Sequence, residues 1–140
     1  MGQTGDCEIC QLLIESRANP RWVADFDHTT AFLDIRQTFR GRTTLMAKTH
    51  FEDMLAIPEA EFASITQELR VLAKAIQNAF GAIRMNYANY GNIVPHQHWH
   101  AIPRYEDDPC SGADPIEPAN VEKLSDQQYE EIAAKIRLAL

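Results

Sequence analysis

The sequence lacks the long apolar run of a membrane-spanning helix, since no stretch of about 18 consecutive apolar residues occurs in it. Its opening, MGQTGDCEIC, lacks the apolar core of a secretory signal, so no leader peptide is expected. Basic residues are scarce, 13 against 20 acidic ones, and the net charge is −7. A protein that binds long nucleic acid needs a basic stripe to neutralise phosphates. We therefore expect neither a membrane nor a long nucleic acid as partner.

Cysteine is also rare. The chain has three, an odd number that excludes a complete disulfide framework and favours a reducing, cytoplasmic location. Two of them, Cys7 and Cys10, form a C-x-x-C pair. Such a pair indicates metal or redox chemistry, with two small buried side chains near a helix start as the alternative.

Apolar periodicity and turn residues predict one α+β domain over residues 1–140: a mainly antiparallel sheet with helices on one side. The core is expected at about 7–105, followed by a loop and a C-terminal helix in 106–140. A short helix is predicted at 7–17 and a long one at 59–80, which Pro58 begins and Gly81 ends. Strands are predicted at 21–26, 29–35, 43–50, 82–88 and 94–105. A capping box, Ser125 with Gln128, starts the last helix.

The segment VPHQHWHAIPRY, residues 94–105, holds three of the five histidines: His96, His98 and His100. Side chains alternate along a strand, so all three are predicted to project from one face. Pro95 and Pro103 bracket them, which favours an edge strand or a short one. Imidazoles in a row suit a nucleophile, proton transfer or zinc binding, and the alternative is a set of structural hydrogen-bonded histidines.

Four segments carry a family resemblance: CEIC, TTAFLDI, GRTTLMAKTHFEDM and GNIVPHQHWHAIPRY. They stand in the order typical of histidine triad (HIT) proteins, and HQHWHAI resembles the triad motif itself. The form of the motif is similar to that of a bacterial branch of HIT hydrolases. The resemblance implies a HIT-like fold, a homodimer, and a nucleotidyl hydrolase or transferase that acts at the α-phosphate of a nucleotide, usually a purine one.

The resemblance also implies roles for single residues. The middle triad histidine, His98, would be the nucleophile and form a covalent nucleotidyl-histidine, with His100 and His96 as the other catalytic histidines. His100 would contact phosphate oxygens or assist proton transfer. Asp34 matches the residue that binds the ribose hydroxyls, to which a carboxylate is well suited.

Further residues match the family at the phosphate site and at a metal site. Asn92 and Asn86 match polar residues of the phosphate site, whereas Asn89 suits a turn. Some HIT proteins bind zinc through positions that correspond here to Cys7, Cys10, His50 and His96. Such a structural zinc would fasten the N-terminal helix to the sheet.

At one position the chain departs from the family, which usually has Gly-His where this chain has Gly41-Arg42. Arginine stays protonated and cannot act as a base. Arg42 could clamp a phosphate and favour substrates with phosphates beyond the α position, or it could turn to solvent.

Three functions are consistent with these residues. The first is a hydrolase of dinucleoside polyphosphates or adenosine phosphoramidates. The second is a nucleotide-binding regulatory module with little or no turnover. The third is a structural protein held by zinc. Repair of adenylated DNA ends is disfavoured by the acidic charge.

Overall fold

The computed structural model describes residues 4–140, which form a five-stranded antiparallel sheet and three α-helices. The helices are α1 (Glu8–Glu15), α2 (Glu59–Phe80) and α3 (Asp126–Ala139). The strands are β1 (Trp22–Asp25), β2 (Thr29–Leu33), β3 (Thr43–Ala47), β4 (Arg84–Ala88) and β5 (His98–Arg104), in the spatial order β1-β2-β3-β5-β4. The predicted α+β fold is confirmed. Within the described residues, no helix is both long enough and apolar enough to span a bilayer.

The long helix α2 has the bounds that its apolar stripe predicts. It ends at Gly81, whose left-handed backbone, with φ of 68°, lets its N–H bond the Gln77 carbonyl at 2.8 Å. Helix α3 begins at the predicted capping box, in which Ser125 and Gln128 each accept the other's backbone N–H. Helix α2 therefore ends, and helix α3 begins, where the local sequence dictates.

The helices cover both faces of the sheet, so the prediction that they gather on one side is wrong. Ala31, Leu33 and Leu45 pack beneath α2 and α3. Their neighbours Phe32 and Met46 point the opposite way and pack against α1. The physical reason is that every residue of β2 and β3 is buried, and a strand buried on both faces needs cover on both sides.

Strand β5 is not an edge strand, because it pairs with β3 on one side and β4 on the other. Pro103 is tolerated because of where the ladders end. The backbone polar groups of Gln97 and Ala101 point towards β3. The backbone nitrogen of Pro103, two residues after Ala101, points to the same side. The ladder with β3 stops at the Thr43–Ala101 pair, so Pro103 has no strand to which it could donate.

The loop after β5 is held by the buried guanidinium of Arg104. Its Nε and Nη2 donate to the two carboxylate oxygens of Asp108 at 2.8 and 3.1 Å. Its remaining hydrogens bond Asn86 Oδ1 and the carbonyls of Ala113 and Cys110, at 2.7–2.9 Å. All the N–H groups of the Arg104 guanidinium are used, so residues 105–113 are fixed to the end of the sheet.

We predict that Asp108→Asn lowers the free energy of unfolding at pH 7 by about 3 kcal/mol, because it leaves the buried Arg104 charge unpaired. Hydrogen bonding from Arg104 lowers the pKa of Asp108 to about 2 from its ordinary 3.8. The carboxylate thus stabilises the fold fully above its ordinary pKa and loses this contribution as the pH falls towards 2. Denaturant unfolding between pH 7 and pH 2 should show a smaller acid-induced loss in the variant.

The matched control is Asp107→Asn, which removes a carboxylate from the exposed neighbouring residue. It should change neither the stability at pH 7 nor its acid dependence. Equal pH profiles for the wild type and Asp108→Asn would contradict the role given to the pair.

Candidate functional site

A cavity of about 630 Å³ opens beside α1, on the sheet face that carries the even-numbered residues of β3 and β5. One wall is apolar and comes from α1 and the end of β2. The other wall is polar. The side chains of the apolar wall include Ile9, Leu12 and Ile35, and those of the polar wall Asp34, Arg42, Thr44, Asn92, His98 and His100. A cavity of this size with one apolar and one polar wall suits a small ligand that has an apolar ring and a polar or charged end.

His98 enters the cavity with its tautomer set by the backbone. Its Nδ1 lies 2.6 Å from the carbonyl oxygen of His96, which can only accept, so Nδ1 carries the proton. Nε2 of a neutral ring is then unprotonated and holds a lone pair. The ring is half-buried and lines the cavity. His98 is therefore presented as a nucleophile or a base.

His100 lies next to His98, with their ring centroids 5.2 Å apart and the planes at 80°. Its Nδ1 is 3.4 Å from Thr44 Oγ1 on β3. Burial, and next the positive charge of Arg42, lower the pKa of His100 to about 4. His100 is therefore neutral at pH 7 and serves as a hydrogen-bonding group rather than a standing cation.

His96 does not line the cavity that contains the other two histidines. It precedes the first residue of β5, is fully buried, and is absent from the cavity lining. Its Nε2 lies 2.7 Å from the Ala47 carbonyl, and its Nδ1 points to Cys7, Cys10 and His50. His96 thus belongs to the cysteine–histidine group beneath α1, whereas His98 and His100 line the cavity beside α1. We therefore leave it out of the catalytic set.

The Cys7, Cys10, His50 and His96 side chains converge on one point beneath α1. Their four ligand atoms all lie within 4.8 Å of one another. The Nδ1 atoms of the histidines are 3.1 Å apart, and the Cys10 Sγ is 3.3 and 3.5 Å from them. Cys7 Sγ is 3.4 Å from His96 Nδ1. The sequence separates these residues by up to 89 positions, yet the fold assembles all four predicted ligands.

The donor set fits zinc. Nitrogen and sulfur ligands at tetrahedral angles around zinc lie about 3.3–3.8 Å apart. The four separations given above, 3.1–3.5 Å, are close to this range. The Ala47 carbonyl accepts a hydrogen bond from the Nε2–H of His96, which leaves Nδ1 free to ligate. Burial and the neighbouring Cys7 raise the pKa of the Cys10 thiol, so the protein alone does not favour its thiolate. A divalent cation would supply the charge that the thiolate form requires.

Arg42 points into the site, so the solvent-facing alternative is wrong. It is 8% exposed and lines the cavity that contains both histidines. Its Nη1 lies 3.1 Å from Glu117 Oε1, and its Nε lies 3.5 Å from Asp34 Oδ2. Gly41 has φ of 98°, and a Cβ there would lie 2.8 Å from the Phe80 ring, so the turn before Arg42 requires glycine.

The predicted polar residues divide between two places. Asp34 lines the cavity with His98 and His100, and its Oδ1 accepts the Arg36 N–H at 2.9 Å. Asn92 lines the same cavity. Asn86 does not line it, since it lies on β4 and its Oδ1 accepts from Arg104. We therefore assign Asn86 to the anchor of the loop rather than to the phosphate site.

Sequence reasoning missed two residues that shape the site. Asn89, interpreted as a turn residue, donates its Nδ2 to the His98 carbonyl at 2.7 Å and so holds the start of β5. Glu117 comes from the loop after β5 and pairs with Arg42 across 75 residues. No local pattern marks either contact, and only the acidic character of Glu117 offers a signal.

Comparison with known proteins agrees with this geometry. The HIT domain profile matches residues 16–107. The chain belongs to the HIT family. It is 30% identical over 105 residues to the Protein hit of Bacillus subtilis, covering 71% of this chain and 72% of that protein. It is 29% identical over 112 residues to the adenosine 5'-monophosphoramidase hnt1 of Schizosaccharomyces pombe, covering 76% and 81%.

Solved HIT structures share the fold. A Hit-like protein from Bartonella henselae superposes with a TM-score of 0.78 at 25% identity, and the match covers 100% of both chains. A zinc-bound HIT family protein from Mycobacterium smegmatis superposes with a TM-score of 0.74 at 24% identity, covering 98% of this chain and 94% of that one.

Proposed function

We propose that this HIT protein is a nucleotide hydrolase or transferase that cleaves at the α-phosphate of an adenine nucleotide. The observation that carries the proposal is the His98 ring, whose Nδ1 proton is committed to the His96 carbonyl while the ring lines a half-apolar cavity. The unprotonated Nε2 is a competent nucleophile at neutral pH. The relationship to an adenosine 5'-monophosphoramidase supports the substrate class.

The reaction proceeds in two displacements. The Nε2 lone pair of His98 forms a bond to the α-phosphorus, and the bond from phosphorus to the leaving group breaks. The leaving group departs with the bonding electrons and takes up a proton. Water then attacks the same phosphorus and gives up a proton to solvent, the N–P bond breaks, and the electron pair of that bond returns to Nε2. His100 is neutral, and its ring lies next to that of His98. It donates a hydrogen bond to a phosphate oxygen or passes a proton.

The cavity orients the rest of the nucleotide. Asp34 stands at the end of β2, where its carboxylate can accept from the ribose hydroxyls. The apolar wall beyond it, with Ile9, Leu12 and Ile35, suits a flat base. Asn92 lies at the mouth and can donate to phosphate. Dinucleoside polyphosphates and nucleoside phosphoramidates both present the required α-phosphate.

The alternative function is a nucleotide-binding regulatory module with little turnover. One observation favours it: Arg42, a cation beside the histidines, is paired with Glu117 and Asp34. An arginine held by two carboxylates offers less charge to a transition state. Release of AMP from adenosine phosphoramidate, diadenosine tetraphosphate or ADP separates the two functions.

We predict that His98→Ala lowers kcat by several orders of magnitude while AMP still binds, because the covalent nucleophile is lost and the ribose and base contacts remain. Single-turnover assays and calorimetry with AMP measure the two quantities. The matched control is His28→Ala, which removes an imidazole from the β1–β2 turn and should leave both unchanged. If His98→Ala retains more than about a tenth of the wild-type rate, His98 is not the nucleophile.

We further propose that Cys7, Cys10, His50 and His96 bind one structural zinc ion. The support is the convergence of their four ligand atoms and the orientation of His96 by the Ala47 carbonyl. When bound, the ion supplies a covalent-like tie between the N-terminal residues, β3 and the start of β5. The described cysteines are free thiols, which fits a cytoplasmic location where they remain reduced.

For this site we predict about one zinc per chain by elemental analysis. Cys10→Ser should lower both the zinc content and the melting temperature, since the free energy of metal binding adds to that of folding. Cys110→Ser is the control, because Cys110 lies in the loop after β5, outside the cluster, and should keep full zinc. Stoichiometric zinc in purified Cys10→Ser would refute the assignment.

We also propose a homodimer in which two β4 strands pair across a two-fold axis. Strand β4 is one of the two edges of the sheet. Tyr87 on this strand is 54% exposed, and Ile83 just before it is 67% exposed. Open edge strands with apolar side chains favour pairing with another chain. Such pairing would extend one sheet through both subunits.

For the dimer we predict twice the chain mass by light scattering, and a shift towards the monomer in Tyr87→Glu, where two like charges would meet near the axis. Leu138→Glu, an equally drastic change at a residue 89% exposed on α3, is the control. A monomeric wild type, or an unchanged mass for Tyr87→Glu, would argue against this interface.

A further inference from the structure

A second cavity adjoins the first and shares Arg42 with it. It has a volume of about 710 Å³ and lies between β4 and residues 114–117 of the loop after β5. Arg36, Arg42 and Tyr90 line both cavities. Arg42 therefore stands in the boundary between the nucleotide cavity and the space beyond it.

Glu117 occupies this boundary from the loop side. Its side chain is only 5% exposed, and its Oε1 lies 3.1 Å from Arg42 Nη1. The other oxygen, Oε2, is buried with no hydrogen-bond partner among residues 4–140, and the same holds for Arg42 Nε. The pair is thus out of water but incompletely satisfied, which makes a better-fitting anion a competitor for Arg42.

The charges around Arg42 are unfavourable to additional phosphates. Two cations, Arg36 and Arg42, face three carboxylates, those of Asp34, Asp114 and Glu117. A second or third phosphate that reaches Arg42 meets a carboxylate already in place. An uncharged leaving group, such as the amine of a phosphoramidate, meets no such competition.

Residues 117–123, the segment that carries Glu117, are weakly held by hydrogen bonds. Residues 105–113 are fixed by Arg104, as described above. Among the described residues, by contrast, the hydrogen bonding of 117–123 to the rest of the chain runs through the Glu117 carboxylate. Removing or displacing this carboxylate therefore changes the boundary without disturbing the sheet.

We propose that Glu117 is a specificity-determining residue: by occupying Arg42 it discriminates against substrates that carry phosphates beyond the α-phosphate. The proposal rests on the proposed nucleotide function and gives it a substrate class, namely nucleotides with an uncharged leaving group. It also reverses the effect expected of Arg42 from the sequence, because the cation that would favour polyphosphates is already paired within the chain.

The test compares the affinity for AMP with that for α,β-methylene-ADP, which has one more phosphate and is not cleaved. Calorimetry is done on the wild type, Glu117→Gln and Glu117→Ala. Both variants should raise the affinity ratio of α,β-methylene-ADP to AMP by about tenfold, the size of one charge-assisted contact. AMP affinity itself should change less than about twofold, since its single phosphate lies at His98.

Glu122→Gln is the matched control, because it removes the same charge from an exposed position of the same segment. It should leave the ratio unchanged. Arg42→Ala should lower the ratio, because it leaves the Glu117 carboxylate without its cation. A purely structural role for Glu117 would lower the melting temperature and both affinities together.

An unchanged ratio in both Glu117 variants, with AMP still bound, would overturn this proposal and leave the proposed function standing. Failure of the wild type to bind AMP would overturn the proposed function and this proposal with it. Measurements of turnover give an independent test of the role of Glu117. In Glu117→Gln, kcat/KM for diadenosine tetraphosphate should rise relative to that for adenosine phosphoramidate.

Discussion

The imidazole of His96 is held from both ring nitrogens, and the architecture of the site depends on it. Nε2 donates to the Ala47 carbonyl on β3, so the ring cannot turn, and Nδ1 faces the two cysteines and His50. The carbonyl of the same residue accepts the Nδ1 proton of His98. A neutral imidazole with one committed nitrogen and one lone pair is what metal ligation by His96 and the proposed nucleophilic role of His98 would both require. The buried His96 thus links the N-terminal helix, β3 and the His98 ring.

Features that depend on neighbouring residues were predictable from the sequence. The long helix follows from its apolar stripe and from Gly81, and the last helix from the Ser125–Gln128 box. The four cluster residues could be named from the family resemblance, although nothing local to Cys7 shows that His96 lies 3.4 Å away. Predictions that needed only periodicity and capping agree with the structure to within a few residues at each end.

Features that depend on distant contacts could not be predicted. Alternation along a strand does not separate the three histidines, yet β5 begins at His98, and His96 before it lies in the cysteine–histidine cluster instead of the cavity. The burial of both faces of β2 and β3, which requires helices on both sides, is a property of the whole sheet. The partner of Arg42 is 75 residues away in a turn-rich loop, so the sequence shows the cation but not the carboxylate beside it. The charge of a site is set by such pairs and not by its motif alone.

Helix α1 belongs to two sites at once. Cys7 and Cys10 lie at its start and in its first turns, while Ile9 and Leu12 form part of the apolar wall of the cavity. No strand ladder holds this helix, so its position is set by side-chain contacts on its two sides. An occupant of the cysteine–histidine cluster and an occupant of the cavity therefore order the same eight-residue element. Any stabilisation of α1 by an occupant of one site would raise the affinity of the other site for its own occupant, and linkage makes the two factors equal.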